Sequence, residues 1–165
     1  MIYAIVAALV LILDIITKII AERSLMPVGT TPILKDIIHF TYVENRGVAF
    51  GMFSGGRTIF IIVSIIVLII LGIIVAKTNR QIRTKWMNMG AMLIFSGAIG
   101  NLADRIFRGY VVDFIDFRII KFPVFNIADI AVCTGAAMLV VHFLIAEEKA
   151  AIKEKLTETE EDISD

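Results

Sequence analysis

Carboxylates, carboxamides and a guanidinium gather at the joint between two apolar stretches of this chain. Asn101, Asp104 and Arg105 close one stretch, Asp113 follows in a short connection, and Asn126 and Asp129 open the next. Such groups are costly to keep at a membrane boundary, so their gathering marks a functional site. Candidate nucleophiles narrow quickly. Cys133 lies one helical turn beyond Asp129 in apolar surroundings, where burial makes a thiol inert, and no histidine sits nearby in the sequence. Ser96-Gly97 lacks the nucleophile elbow, and pairing a serine with Lys18 has no supporting motif. The histidines, His39 and His142, fall on opposite sides of the membrane and no H-E-x-x-H spacing occurs, so the expected chemistry uses no metal and no cofactor.

Paired aspartates are the remaining option. Two carboxylates close together cannot both ionise cheaply, so one keeps a proton while the other can deprotonate a water. Such a pair titrates as a unit. The candidates are Asp14, Asp104, Asp113, Asp116 and Asp129. Asp14 stands four residues before Lys18, the spacing of an intrahelical ion pair, which makes both structural. Asp104 adjoins Arg105 and reads as its orienting or structural partner, and Asp116 reads as a solvated loop residue. Asp113 and Asp129 alone lack an adjacent cation, as a proton-sharing pair requires.

The elements that must position these groups are membrane helices. Hydrophobic residues make up 58% of the 165 positions, too many for an ordinary soluble domain. Four stretches approach the roughly 20 apolar residues that a crossing needs: about 2–21, 58–76, 86–107 and 127–146. The second carries no charge; the third is the most polar, with Asn88, Ser96, Asn101 and three glycines. The first holds Asp14 and Lys18 and lacks a basic leader, so it reads as a retained span rather than a cleaved signal peptide. The expected fold is an all-α membrane protein of four transmembrane helices, a single domain over 1–147. An acidic cytoplasmic tail over 148–165 extends the last helix and frays into disorder.

Lys77, Arg80, Arg83 and Lys85 crowd the loop between spans two and three, so that loop and both termini are expected to be cytoplasmic. Spans one and three then run outward, and span four starts at the outer face. Asp14, Lys18, Asn101, Asp104, Arg105, Asn126 and Asp129 converge on one level near the outer surface. Between spans one and two, Pro27, Gly29 and Pro32 stop the helix. Residues 37–43 read as a strand, Asn45-Arg46-Gly47 as a turn, and 48–51 as a returning strand. Residues 110–115 read as another short strand, giving a small sheet on the membrane surface with a short amphipathic piece. Val48, Phe50 and Phe53 either dip into the interface or pack under the strands. Gly90, Gly97 and Gly100 would let helices approach span three closely. No clustered basic face with aromatics is present, so nucleic acid is not an expected partner.

Five blocks carry a resemblance. They are Asp14-Ile-Ile-Thr-Lys18, Asn45-Arg-Gly-Val-Ala-Phe50, Gly97-Ala-Ile-Gly-Asn101-Leu-Ala-Asp104-Arg105, Gly109-Tyr-Val-Val-Asp113-Phe114 and Phe122-Pro-Val-Phe-Asn126-Ile-Ala-Asp129. In order and content they resemble the lipoprotein signal peptidases (signal peptidase II), over residues from about 10 to 135. The resemblance implies a monomeric bacterial inner-membrane aspartyl endopeptidase with an extracytoplasmic β-cradle and a short surface helix. Its substrates would be prolipoproteins, cut on the amino side of a diacylglyceryl-modified cysteine. Asp113 and Asp129 would be the catalytic dyad. Asn45, Asn101, Arg105 and Asn126 would line the site and hold the substrate backbone, while Asp14, Lys18 and Asp104 would support architecture and charge balance. Membrane lipid and globomycin-type inhibitors would be further partners. The rival reading is a small proton-coupled membrane transporter, which would place its acids near the bilayer midplane and often shows internal repeats. An assembly protein, the other rival, has no need of two unneutralised aspartates.

Overall fold

A computed structural model describes residues 1–47, 57–78, 84–120 and 122–164, the last 17 of these by backbone path only. Four helices are present: α1 (Ile2–Leu25), α2 (Arg57–Lys77), α3 (Lys85–Phe107) and α4 (Ile127–Ser164). Three strands, β1 (Thr30–Leu34), β2 (Ile38–Asn45) and β3 (Val111–Phe117), form one antiparallel sheet in the order β1-β2-β3. A 3-10 turn covers Arg118–Ile120. The returning strand at 48–51, Val48, Phe50 and Phe53, and Arg80 and Arg83 of the basic loop lie outside the described residues.

Helices α1 and α2 and the segment Ile127–Glu147 are long and apolar enough to cross a membrane. Their outward faces are bare hydrocarbon, with Leu9, Ile12, Ile59, Ile69, Val140 and Leu144 about half exposed or more. Helix α1 instead turns Asp14, Lys18, Ala21 and Leu25 inward, a stripe spaced by four, three and four residues. Helix α3 is the hub, packing against α1, α2 and α4. Its glycines explain the close approach. A Cβ on Gly90 would stand 2.7 Å from the Gly135 carbonyl, one on Gly100 2.6 Å from Asp14 Oδ2, and one on Gly97 would strike the Ala128 carbonyl. Thr84 caps α3 by accepting from the Met87 N–H and is also hydrogen-bonded to the buried His142 of α4, at 3.0 Å.

Helix α1 ends at Leu25, two residues before Pro27, and Gly29 takes the left-handed conformation (φ 76°) that carries the chain into the sheet. Helix α3 ends similarly at Gly109 (φ 87°), and the Arg57 guanidinium donates to the carbonyls of Arg105 and Ile106 at 2.8 and 2.7 Å. Those bonds tie the start of α2 to the end of α3 and satisfy carbonyls that a helix end leaves open.

One strand was not read from the sequence, and one expectation needs correction. Residues 30–34 form a strand, because their backbone groups find partners in β2 despite Pro32. Asp116 is not a solvated loop residue. It lies buried in β3 opposite His39, accepts from Thr41 Oγ1 at 2.7 Å and pairs with Arg118. The helical extension expected for the acidic tail is present, since α4 continues to Ser164.

Candidate active site

The site is assembled where the sheet meets the ends of α1, α3 and α4. A bulge between Phe40 and Val43 shifts the β2–β3 register, so Val43 faces Asp113 and Asn45 faces Val111. Asn45 then reaches diagonally across the strands, and its Nδ2 donates to Asp113 Oδ2 at 2.8 Å. The segment after the 3-10 turn doubles back over β3. Phe114 and Ile115 donate to the Phe125 carbonyl, and Phe125 donates to that of Ile115. That bridge delivers Asn126, fully buried, to the other side of Asp113, where its Nδ2 donates to Oδ1 at 2.6 Å.

Asn126 also caps α4. Its Oδ1 accepts the Asp129 N–H at 3.0 Å, while Asp129 Oδ2 accepts the Asn126 N–H at 3.1 Å. This reciprocal cap fixes the Asp129 side chain while satisfying two of the helix's free donors. The second oxygen, Asp129 Oδ1, accepts Asn101 Nδ2 from α3 at 2.8 Å. All four oxygens of Asp113 and Asp129 therefore rest on N–H donors from uncharged amides. Among the described residues neither carboxylate has a salt bridge.

Burial pushes the Asp113 carboxyl up to about 7, and the charge of Asp129 adds to the rise while the Asn45 and Asn126 amides work against it. Arg105 faces the same space without pairing to either acid. It donates to the Asn101 carbonyl at 3.2 Å, and its guanidinium sits 5.4 Å from the centre of the Phe60 ring. A cavity of about 460 Å³ is lined by Asn45, Asp113, Asp129 and Arg105 together with Phe122 to Phe125. A cavity lined by both polar and apolar groups suits an amphiphilic ligand.

Beneath the pair lies a second, ionic layer. Lys18 Nζ is 2.8 Å from Asp14 Oδ2 and 3.0 Å from Asp104 Oδ2, and it donates to Asn101 Oδ1 at 2.9 Å. The ion pair expected from the Asp14/Lys18 spacing is present. Asp14 does more than pair, since its Oδ1 accepts the Ala128 N–H at 3.0 Å in the first turn of α4. The expected Asp104–Arg105 partnership is not formed. Asp104 pairs with Lys18 and, one turn on, with Arg108 at 3.1 Å, because successive helical residues point apart. Arg108 in turn pairs with Glu22 of α1.

Asp14, Lys18, Asn45, Asn101, Asp104, Arg105, Asp113, Asn126 and Asp129 thus form one connected cluster, and Asp116 stands apart from it. Two features escaped sequence reasoning. Cys133 is exposed and lines the cavity with Ile130 and Thr134, rather than facing an apolar interior. The reciprocal cap at the start of α4 was also missed, although the Asn126-x-x-Asp129 spacing carries its signal. Nothing local in the sequence marks Phe122 to Phe125 as a cavity wall.

The model of a family described as signal peptidase (SPase) II matches residues 6–145. Proteins described as lipoprotein signal peptidases from Halothermothrix orenii and Clostridioides difficile are 43% and 42% identical to it. Those alignments cover 88% and 91% of this chain and 96% and 99% of theirs. Two solved structures, each described as a bacterial membrane enzyme determined by the in meso method, align with TM-scores of 0.79 and 0.75. They are 33% and 35% identical, with 89% and 86% of this chain covered and 90% and 92% of those chains.

Proposed function

The chain belongs to the signal peptidase II family of membrane hydrolases, and we propose that it removes signal peptides from prolipoproteins as an aspartic endopeptidase. Asp113 and Asp129 are the catalytic pair, and the cut falls on the amino side of a diacylglyceryl-modified cysteine. The observation that carries this reading is the pair itself, two carboxylates lining one cavity and held only by amide donors. Asp113, raised by burial, keeps the shared proton. Asp129 is ionised and takes a proton from water, whose oxygen adds to the scissile carbonyl carbon while Asp113 protonates the carbonyl oxygen. The tetrahedral adduct then collapses. Its carbon–nitrogen bond breaks, the proton held by Asp129 passes to the departing amine, and the diol returns a proton to Asp113. The products are a signal peptide with a free carboxylate and a lipidated cysteine with a free amine, and no metal or cofactor enters.

Asn45, Asn101, Arg105 and Asn126 orient the acids and the substrate backbone, and Asp14, Lys18 and Asp104 hold the helices that carry them. Helix α3 is the fourth span. Its 23 residues reach about 35 Å at 1.5 Å each, and its polar groups find partners inside the bundle. Both termini lie in the cytoplasm, and the cavity opens at the outer surface of the inner membrane, where the acyl chains of the substrate reside. Residues 1–147 form the peptidase domain and 148–165 the cytoplasmic tail; the enzyme works as a monomer and is sensitive to globomycin-type inhibitors.

The test is cleavage of a synthetic diacylglyceryl peptide by purified protein in micelles, read by mass spectrometry. Asp113→Asn and Asp129→Asn should each abolish the product with folding intact. Cleavage retained by both variants would remove the dyad.

A further inference from the structure

Lys18 is 2% exposed and does not line the cavity, yet it is one hydrogen bond from a residue that touches Asp129. An ammonium can only donate, and a carboxamide has one accepting end and one donating end. With Oδ1 held by Lys18 at 2.9 Å, Asn101 must turn Nδ2 toward Asp129, where it donates at 2.8 Å. Rotating the amide by half a turn would set NH₂ against the ammonium and oxygen against the Asp129 carboxylate, two repulsive contacts at once. Asn126 Nδ2 also points at Asn101 Oδ1, but at 3.2 Å, and its two hydrogens are already divided between Asp113 at 2.6 Å and the Val112 carbonyl at 3.3 Å. It cannot hold the amide alone.

We infer that Lys18 is a positioning residue, which sets the direction of the Lys18–Asn101–Asp129 hydrogen-bond chain and so keeps the Asp129 carboxylate aimed at the attacking water. This rests on the catalytic pair proposed above. The other charged groups near the pair or Lys18 are Arg105 and Asp104 on α3 and Asp14 on α1. None of them contacts the Asn101 side chain, so Lys18 alone transmits charge through it.

The experiment is a mutant cycle read by steady-state cleavage of the diacylglyceryl peptide. Lys18→Met alone would strand Asp14, so it is combined with Asp14→Asn, which removes the ion pair while leaving an oxygen for the Ala128 N–H. The paired variant should lose about 10- to 100-fold in kcat, the range of one hydrogen bond to a charged group, with KM changed less than about twofold. Asn101→Ala should lose a similar amount, and the triple variant no more than Asn101→Ala. Multiplying losses, a KM effect without a kcat effect, or wild-type kcat in the paired variant would each overturn the inference. Lys18→Arg keeps the charge and the donor-only character, so it should keep kcat within about threefold of wild type. A folded Lys18→Arg enzyme as slow as Asn101→Ala would also overturn it. Asp129→Asn separates the two levels. Activity in that variant would remove the catalytic pair, whereas its loss together with multiplying losses in the cycle removes only the role of Lys18.

Discussion

Replacing Asp113 with asparagine should stabilise the protein above neutral pH while destroying its activity. The carboxyl has an ordinary value of 3.8 and is pushed up to about 7 by burial, so the folded state holds a proton that the unfolded chain releases. The sign follows from linkage. Below pH 3.8 the group is neutral in both states and its stability contribution is complete; that contribution is lost as pH rises through about 7. At about 1.4 kcal/mol per pH unit the ionised carboxylate costs at most about 4 kcal/mol by pH 8.5. Asparagine escapes this cost but presents an NH₂ to one of the amides of Asn45 and Asn126, giving back about 1–3 kcal/mol. A net gain of about 1–3 kcal/mol is therefore expected at pH 8.5, shrinking or reversing at pH 5. Thermal unfolding of both proteins in micelles at the two pH values measures it. A variant equally destabilised at pH 5 and 8.5 would show that burial does not hold Asp113 neutral.

Three other outcomes follow from the same geometry. Asn126→Ala should lose about 2–4 kcal/mol of stability, from the missing cap and a stranded Asp113 oxygen; Asn126→Ser should recover the cap but not cleavage, as unfolding and peptide assays would show. Gly97→Ala should cost about 1–3 kcal/mol and slow cleavage by displacing the first turn of α4, whereas Gly72→Ala, whose nearest neighbour is Phe95 at 3.7 Å, should match or exceed wild-type stability in thermal unfolding. Because the proposed acid pair needs no metal, EDTA should leave the cleavage rate unchanged; a loss restored by added metal would contradict that chemistry.

What the sequence disclosed and what it withheld divide along a physical line. Helix extents and the Asp14/Lys18 pair are local properties of hydropathy and helical spacing, and the bounds of α1, α2 and α3 and the start of α4 lay within a few residues of those observed. The convergence of Asn101, Asp113, Asn126 and Asp129 could be argued from the parity of the spans alone. Partner choice was less legible. Asp104 found Lys18 and Arg108 rather than its neighbour, because the winning contacts span 86 positions or follow the helical turn. Asp116 was misplaced because the strand read over 110–115 runs on to Phe117, where pairing with β2 rather than any local pattern sets its end.

The weak apolar character of α3 is a consequence of the polar cluster it carries. A helix that supplies Asn101, Asp104 and Arg105 to an acid pair cannot also face lipid on all sides, so α1, α2 and α4 surround it. That shielding demands small residues where backbones meet. Gly97 lets α4 bring Asp129 to Asn101, and Gly100 lets α1 bring Lys18 to the same amide. The glycines and the polar residues are therefore one device, in which each glycine sets a distance that a hydrogen bond then uses. Filling Gly100 with a methyl group would test this directly. It would stand 2.6 Å from Asp14 Oδ2, so the carboxylate that holds Lys18 must shift and the Lys18–Asn101 bond should lengthen with it. Gly100→Ala should accordingly reproduce the kcat loss of Asn101→Ala although residue 100 itself touches nothing that reacts.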